Sequence, residues 1–355
     1  MIGTTLQIQA FLIDSTEYGG NARQLLASVT QLRAMDYNVA VGVLGKKTSW
    51  SKLLSETGAM VTHFESKGLW DIRALFRLRE WIKNLSADSI HVITLKAMDA
   101  LGISSPSYIS RSFLAGLPQG GIRVNPWRQK VFARVKKIFC PTIAFQNKLI
   151  KLGMHPSKAV HLPPGISLLT VNSTSKPFPH TPYLLDCGPF NNDFNHRDAL
   201  WCMDILHYVK PEVKLCLSGN GAQLSSLRSF RSALLTKDKI HFTGATEYQE
   251  TLLKNAFIVL VTNINSGGYY SALESMLSGK PLVASSTPGM EELVVDKSTG
   301  VLFTPGEPAD LAKKIRLLID EPARAEELAT KGRESAESRF SAKHHVAKML
   351  QYQDD

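Results

Sequence analysis

Residues 265–285 read NSGGYYSALESMLSGKPLVAS, a glycine pair followed by a helical apolar pattern with one acidic residue, another glycine and an apolar strand. A helix that begins after glycines presents unpaired backbone N–H groups, and neither Gly267 nor Gly268 has a side chain to keep a ligand away. Glu274 lies one turn into this helix and shares a face with Ser271. The stretch therefore predicts a phosphate-binding turn followed by a carboxylate that accepts two hydroxyls of a ribose. The alternative is a capping or solvated glutamate.

The same alternation of strands and helices continues outward from this stretch. Upstream, PYLLDCG, VKLCLSGNG, KIHFTG and NAFIVLVT are strand-like, and the Ser-, Thr- and Pro-rich segment at 171–182 is typical of a linker. Before the linker, LQIQAFLID, VAVGVLG, AMVTHFE and SIHVITL alternate with helical patterns. This order predicts an α/β fold of two doubly wound, parallel-sheet (Rossmann-like) domains facing an interdomain cleft. The expected boundaries are 1–170, 183–335, and 336–355 as a helix that crosses back to the N-terminal domain.

Composition agrees with two domains and shows where the charge is concentrated. The chain has 355 residues, 44% of them hydrophobic, which is enough for two cores. Its net charge is +10, yet residues 1–165 hold 21 Lys and Arg against 9 acidic residues. A basic half can meet an anionic membrane, a phosphorylated substrate or a nucleic acid. The densest part, at 123–137, predicts a basic helix that either lies on an anionic bilayer or is an ordinary helix with a solvated face.

Other features exclude several classes of protein. No run of about eighteen apolar residues is present, and the start lacks a basic leader, so the sequence predicts a soluble cytoplasmic protein. The four cysteines have no CxxC spacing and are expected to be buried thiols. His91, on an apolar strand, is expected to be a core histidine. Asp14, at the end of the first strand, fits either a turn cap or an acceptor-hydroxyl ligand.

The ordered series of segments resembles the GT-B glycosyltransferases, family 4 of the retaining enzymes, over about residues 10 to 350. The positions that carry the resemblance in the opening stretch and just after it are Glu274, Met276, Gly279, Pro281, Gly289, Glu292 and Gly300. STEYGGNARQLLASVTQLRAMDYNVAV is similar to the family's N-terminal glycine loop and first helix, and KIFCPTIAFQNKLIKLGMHPSKAVHLPPGIS to the segment leading into the interdomain crossing.

The resemblance implies a nucleotide-sugar donor held by the C-terminal domain and a glycan or lipid-linked acceptor held by the N-terminal one. Glu274 would hold the ribose, and the amides of Gly267 and Gly268 would hold the diphosphate. It implies no metal and no cofactor, because cations and amides stabilise the leaving diphosphate. The implied donor-side residues are Gly19, Gly20, Gly188, Gly219, Gly221, Ser266, Gly267, Gly268, Tyr269, Tyr270, Ser271 and Glu274. The two tyrosines fit either stacking on a base or sugar or plain packing.

Four features depart from the family pattern. Ser266 stands where an acidic residue would contact the transferred sugar, while Pro189 and Phe194 replace an arginine and a lysine that neutralise the diphosphate. The histidine expected after the His91 segment is also missing. Losing one such stabilising group typically lowers the rate by about two or three orders of magnitude. The candidate replacements, and the only catalytic candidates, are Lys96, Arg111, His196 and Arg197.

Two functions follow. The first is a retaining, metal-independent glycosyltransferase that moves a hexose from a nucleoside-diphosphate sugar to a glycan or lipid-linked acceptor in polysaccharide biosynthesis, in the cytoplasm or at the inner face of the membrane. The alternative is a catalytically degenerate protein of the same fold that binds or scaffolds. Nucleic acid is not expected as a partner, since the cations accompany no recognisable nucleic-acid motif.

Overall fold

The computed structural model describes residues 8–16, 19–85, 87, 89–114, 126–166, 183–244, 249–265 and 267–354. The chain divides into two compact units. The first comprises residues 1–166 with 341–355, and the second comprises residues 167–340. The linker at 171–182 and Ser266 lie outside the described residues.

The first unit is built on a parallel sheet of seven strands in the order β3-β2-β1-β4-β5-β6-β7. Its strands are β1 (Ile8–Ile13), β2 (Asn38–Val43), β3 (Met60–His63), β4 (Ile90–Val92), β5 (Ser112–Leu114), β6 (Lys137–Cys140) and β7 (Ala159–His161). Strand β1 pairs with β2 on one side and with β4 on the other. The connections therefore change direction at β1, and such a switch point is where open α/β sheets bind ligands.

Helices connect these strands. They are α1 (Gly20–Ala34), α2 (Ser49–Glu56), α3 (Ile72–Leu85), α4 (Leu95–Ser104), α5 (Pro126–Arg134) and α6 (Ile143–Lys151), with a 3₁₀ helix at Pro106–Arg111. Threonines begin three of them: the hydroxyls of Thr48, Thr94 and Thr142 accept the backbone N–H three residues on. Such caps satisfy donors that a helix N-terminus leaves unpaired.

The second unit repeats the architecture with six parallel strands in the order β10-β9-β8-β11-β12-β13. The strands are β8 (Tyr183–Cys187), β9 (Lys214–Ser218), β10 (Ile240–Phe242), β11 (Ile258–Val261), β12 (Leu282–Ser285) and β13 (Val301–Phe303). Its helices are α7 (His196–His207), α8 (Leu224–Ser232), α9 (Gln249–Asn255), α10 (Tyr269–Leu277), α11 (Pro288–Leu293), α12 (Pro308–Asp320) and α13 (Pro322–Arg339), with a 3₁₀ turn at Lys237–Lys239. Here the switch point lies between β8 and β11.

The last helix, α14 (Ala342–Asp354), belongs to the first unit. It packs against α1, and the ring Nδ1 of His345 lies 2.7 Å from the carbonyl oxygen of Pro163. Near its end, the side chain of Gln353 contacts Gln9 at 2.8 Å and the ring of His91. The C-terminus is thereby attached to the first strand's sheet.

Each unit has its own apolar core, and all four cysteines are buried. The basic stretch that the sequence placed at 123–137 is described from residue 126 onward, as α5. Val131 and Phe132 of this helix and Val135 just after it are buried in the core, and Trp127, 39% exposed, is the one large apolar side chain among the described residues of α5 that reaches its surface. Of its two predicted roles, the structure favours the ordinary helix with a solvated basic face. Among the described residues, no helix is both long enough and apolar enough to cross a membrane.

Candidate functional site

Helix α10 begins at a glycine that the backbone requires. Gly268 has φ of 78°, in the left-handed region, and a Cβ built on it would lie 2.5 Å from Cγ1 of Val261. Only glycine fits this position without strain. The helix start follows β11 in the chain and lies beside the switch point of the second sheet, and Gly267 and Gly268 place no side chain of their own over its first amides.

Glu274 is the one acidic residue of α10, and it is only 3% exposed. Its neighbours along the helix include the buried apolar side chains of Leu273 and Met276 and the buried hydroxyl of Ser275. Burying a carboxylate is unfavourable unless other groups hydrogen-bond or compensate it. A carboxylate kept here, in the first turns of a helix beside a glycine-lined start, is suited to binding a polar ligand with two hydroxyls.

The other candidate residues of α10 differ in how far their side chains are exposed. Tyr269 is 4% exposed and packs edge-to-face on Phe340, with ring centroids 6.1 Å apart. Burial raises the pKa of the Tyr269 hydroxyl, so this side chain stays neutral at physiological pH. It packs in the core rather than facing a ligand. Tyr270 and Ser271 are half-buried on the next positions.

Three more glycines lie at the carboxyl edge of the second sheet, packed against one another and against the loop after β8. A Cβ on Gly219 would lie 1.9 Å from the carbonyl oxygen of Gly188, and one on Gly221 would lie 2.3 Å from that of Phe190. The chain's own packing thus accounts for these glycines. Their expected role in shaping the donor loops stays a prediction.

Phe194, where the family resemblance expects a lysine, is 6% exposed and lies between two predicted donor glycines. Its ring would be 2.6 Å from a Cβ on Gly188 and 3.3 Å from one on Gly267. The loop that carries it is attached to the segment after β11, because the Asn195 N–H donates to the Thr262 carbonyl at 2.6 Å. An apolar ring therefore fills the space beside these two glycines.

Beneath this ring lies a buried polar pair, His196 and Asp186. Nδ1 of His196 is 2.8 Å from Oδ2 of Asp186, and both side chains have no exposed surface. The imidazole stacks on Phe194 at 5.4 Å and meets Phe190 edge-on at 4.9 Å. Since the ring is sealed in and its Nε2 lies 3.3 Å from the Pro189 carbonyl oxygen, His196 has no route to a bound sugar, and its position is that of a loop anchor.

Arg197, the next candidate, lies on the exposed face of α7, and its guanidinium is 5.3 Å from the centroid of the Phe230 ring on α8. Neither of these two substitutes for the missing cations therefore points at the glycine-lined start of α10. Sequence reasoning missed Asp186 and Phe190 as the partners that fix this loop. The available signal was the aspartate in the otherwise apolar strand YLLDC.

In the first unit, Gly19 and Gly20 follow β1 and begin α1, while Lys96 follows β4. The two loops meet at the switch point: Nζ of Lys96, 75% exposed, is 4.0 Å from Oδ2 of Asp14. Gly19 is extended, with φ of 170°, so its backbone does not require glycine. Lys96 is thus the candidate cation that the structure leaves available beside the glycine loop.

The expectation that Arg111 faces the same side is wrong. Arg111 ends the 3₁₀ helix directly before β5, at the amino end of that strand, whereas Lys96 and the glycines follow the carboxyl ends of theirs. Parallel strands place these two kinds of loop on opposite edges of the sheet. The Arg111 guanidinium instead lies 5.8 Å from the centroid of the Tyr108 ring.

Two family models match this chain, one after the other. The model described as Glycosyltransferase Family 4 matches residues 18–168, and that described as Glycosyl transferases group 1 matches residues 174–335. Among curated relatives, the glycogen synthase of Mycobacterium tuberculosis is 29% identical over 163 residues, 44% of this chain and 38% of that protein. The lipopolysaccharide core biosynthesis glycosyltransferase LpsD of Rhizobium meliloti is 30% identical over 131 residues, 36% of this chain and 38% of its own length. The matched stretches thus span about two fifths of these curated relatives.

Solved structures match the fold over nearly the whole chain. HepE of Anabaena, in complex with UDP-glucose, has a TM-score of 0.77 at 18% identity and covers 97% of this chain and 99% of its own. TarM of S. aureus, in a complex containing UDP, has a TM-score of 0.77 at 10% identity and covers 98% and 100%. Together with the two parallel sheets and their switch points, these matches give the GT-B fold. On the two matched models, the chain belongs to the group 1 glycosyltransferase family.

Proposed function

We propose that this protein is a retaining, metal-independent glycosyltransferase that uses a nucleoside-diphosphate hexose as donor. The observation that carries the proposal is the start of α10, where Gly268 and the buried Glu274 adjoin the switch point of the second sheet. The backbone amides there suit a diphosphate, and the carboxylate suits a ribose diol. The complexes of HepE with UDP-glucose and of TarM with UDP support a nucleotide-sugar donor in this fold.

In the reaction, the bond between the sugar's anomeric carbon and the β-phosphate oxygen breaks, and its electron pair leaves with the nucleoside diphosphate. An acceptor hydroxyl oxygen bonds to the anomeric carbon, and its proton passes to the departing diphosphate oxygen. We propose a glycan or lipid-linked acceptor held by the first unit, where Lys96 remains the candidate cation. The surplus of basic residues in 1–165 supports a cytoplasmic enzyme acting at the inner, anionic face of a membrane.

The test is nucleotide-induced thermal stabilisation, because it needs no acceptor. UDP, GDP, ADP and CMP are added separately at millimolar concentration. At 100 times its Kd, a ligand stabilises by about 2.7 kcal/mol, which raises the Tm by about 5 to 10 °C in a domain of this size. We expect one nucleotide to give such a rise, Glu274→Ala and Glu274→Gln to abolish it, and exposed Glu334→Ala to preserve it.

The nucleotide-induced rise in Tm is compared, not the Tm itself. Any stability that a variant loses because Glu274 is buried then affects both of its measurements equally and cancels. An unchanged rise in both variants would refute the role of Glu274. Activity with EDTA present then tests metal independence, and the anomeric configuration of the product tests retention.

A second candidate function, binding or scaffolding without catalysis, is favoured by the packing of Phe194 against Gly188 and Gly267. We would restore the family pattern with Ser266→Glu, Pro189→Arg and Phe194→Lys together. Because Phe194 is buried on His196, folding of the variant is checked first by circular dichroism. Donor hydrolysis gained by the variant but absent from the parent would support this candidate, and turnover by the parent itself would exclude it.

A further inference from the structure

Helix α3 is apolar on two sides. Its inner face buries Ala74, Leu78 and Ile82 in the core of the first unit. On its outer face and in the turn before it, Trp70 is 84% exposed, Ile72 79% and Phe76 63%. A surface helix ordinarily has one apolar stripe, and exposed neighbouring apolar side chains mark a surface that binds something.

Trp70 lies in a turn, at residues 66–71, that several hydrogen bonds hold in place. The carboxylate of Asp71 accepts the backbone N–H groups of Lys67 and Ala74, each at 3.1 Å, which holds the pKa of Asp71 below its usual value. Ser66 N–H donates to the Leu44 carbonyl at 2.7 Å. The turn is therefore tied both to the helix and to the neighbouring loop, with the indole held in solvent.

Charged groups around these side chains are predominantly basic. Lys67, Arg73 and Arg79 are exposed. Among the described residues nearby, Asp71 accepts backbone N–H groups, the Glu80 side chain lies 3.4 Å from Lys83 and is 44% exposed, and Glu65 is exposed. Arg77 donates to the Phe64 carbonyl. We call the following six residues the α3 surface: Trp70, Ile72, Phe76, Lys67, Arg73 and Arg79.

The location of the α3 surface connects it with the acceptor. Trp70 and Ile72 follow β3, and α3 begins on the edge of the sheet where its strands end. Gly19 and Lys96 lie on that same edge of the same unit. A lipid-borne acceptor approaching the glycine loop would thus come from a bilayer that this edge faces.

We propose that the α3 surface docks the protein on an anionic phospholipid bilayer, with the three apolar side chains in the headgroup region and the three cations on lipid phosphates. Protruding aromatic side chains on a convex helix insert into lipid without needing a complementary groove. Stable membrane attachment takes two signals, apolar insertion and electrostatic attraction, and this surface supplies both. The charge surplus of residues 1–165 orients the same unit toward anionic lipid.

Helix α5, the basic helix marked by the sequence, exposes a smaller apolar surface: among its described residues Trp127, at 39%, is the one large apolar side chain that is exposed. Arg128 forms a salt bridge with Asp99 at 2.6 Å, and a Cβ on Gly102 would lie 3.0 Å from the indole of Trp127.

The docking proposal rests on the proposed function for the identity of the acceptor. Docking itself is measured without any sugar.

The experiment is flotation of the full chain with vesicles of phosphatidylcholine, with and without one quarter phosphatidylglycerol, at about 0.1 M salt, where surface charge is felt over about 10 Å. We expect binding only to the anionic vesicles. Trp70→Ser, Ile72→Ser and Phe76→Ser combined should weaken it by about tenfold or more, as should Arg73→Glu with Arg79→Glu.

Matched controls change similar side chains elsewhere. Tyr208→Ser with Leu235→Ser removes apolar groups that are 76% and 70% exposed in the second unit, and Lys254→Glu with Lys313→Glu reverses two exposed charges of that unit. Both controls should bind like the parent. The proposal is overturned if the parent ignores anionic vesicles, if the α3 variants bind equally well, or if the controls weaken binding as much.

The alternative to a bilayer is that a second copy of the chain binds the α3 surface. Light scattering that shows a dimer in the parent and a monomer in the Trp70, Ile72 and Phe76 variant would also overturn the proposal. Nucleotide-induced stabilisation is measured on the same variants. A parent that shows the nucleotide response but ignores anionic vesicles defeats docking alone, whereas a parent that docks without any nucleotide response defeats the proposed donor.

Discussion

Gly268 shows how one residue can serve both the backbone and the site. Its left-handed φ of 78° and its approach to Val261 leave no room for a Cβ. We expect Gly268→Ala to lower the free energy of unfolding of the second unit by about 3 kcal/mol or more, combining left-handed strain with overpacking. Chemical denaturation measures the change.

Gly306→Ala is the matched control, because Gly306 has φ of 83° and no atom within 4 Å of a built Cβ. This variant should lose only the left-handed term, about 1 to 2 kcal/mol. Equal losses in the two variants would show that contact with Val261 has no energetic consequence.

At this scale the sequence predicts some residues and not others, for physical reasons. A glycine pair before a helical pattern is a local signal, so the start of α10 could be located from the sequence. The position of His196 depends on Asp186, which is ten residues away, on the Phe194 ring that stacks on it and on the Phe190 ring that meets it edge-on. A histidine two residues past a missing lysine resembles a substitute cation until burial shows it to be an anchor.

Among the elements, β4 and α14 are joined through a buried histidine. His91, as expected, is a core residue, 1% exposed and stacked near Phe11 and Phe113 at 5.0 and 5.1 Å. Burial lowers its pKa to about 3, with a smaller contribution from His345, whose own pKa burial lowers to about 4. Both values lie below the ordinary value of about 6.5 in an unfolded chain.

The sign of the pH effect follows from these shifts. Between about pH 6.5 and pH 3 to 4, these two histidines are protonated in the unfolded chain but remain neutral in the folded one. The free energy of unfolding therefore falls as the pH falls. We expect each histidine to contribute a slope of up to about 1.4 kcal/mol per pH unit in that window. His91→Phe, whose ring fits the stack, should remove about half of their joint slope in denaturation experiments at pH 7 to 5. Exposed His155→Asn should leave it unchanged, and an unchanged slope in His91→Phe would contradict the assignment.

The elements themselves were largely predictable, because strand and helix periodicities differ and the glycines mark the turns. Their faces were harder to assign. The sequence of α5 shows apolar and basic residues together, yet tertiary packing places Val131 and Phe132 inside. In α3 the pattern is ambiguous, since apolar residues such as Phe76 and Leu78 occur on both sides, and only the folded unit shows which side is covered.

For the molecule as a whole, the chain is not two consecutive domains. Its last helix returns to the unit that its first strand begins, and Ile166 forms an isolated parallel bridge with Ser341. The charge surplus is thereby concentrated in one unit and the α10 site in the other. This division agrees with an enzyme that attaches through one unit and binds its donor in the second.

Helix α14 packs closely against Gly165 where the C-terminus returns to the first unit. A Cβ on Gly165 would lie 2.4 Å from Cβ of His345 and 2.9 Å from Cα of Ala342. Backbone and Cβ atoms cannot swing aside as a side-chain tip can, so we expect Gly165→Ala to displace α14 and to lower stability by about 1 to 3 kcal/mol. Trypsin should then cleave faster after Lys343 and Lys348. The control is the same substitution in a chain ending at residue 340: there the opposing atoms are absent, and Gly165→Ala should change stability little. A full-length variant as stable and protease-resistant as the parent would show that α14 docks without that contact.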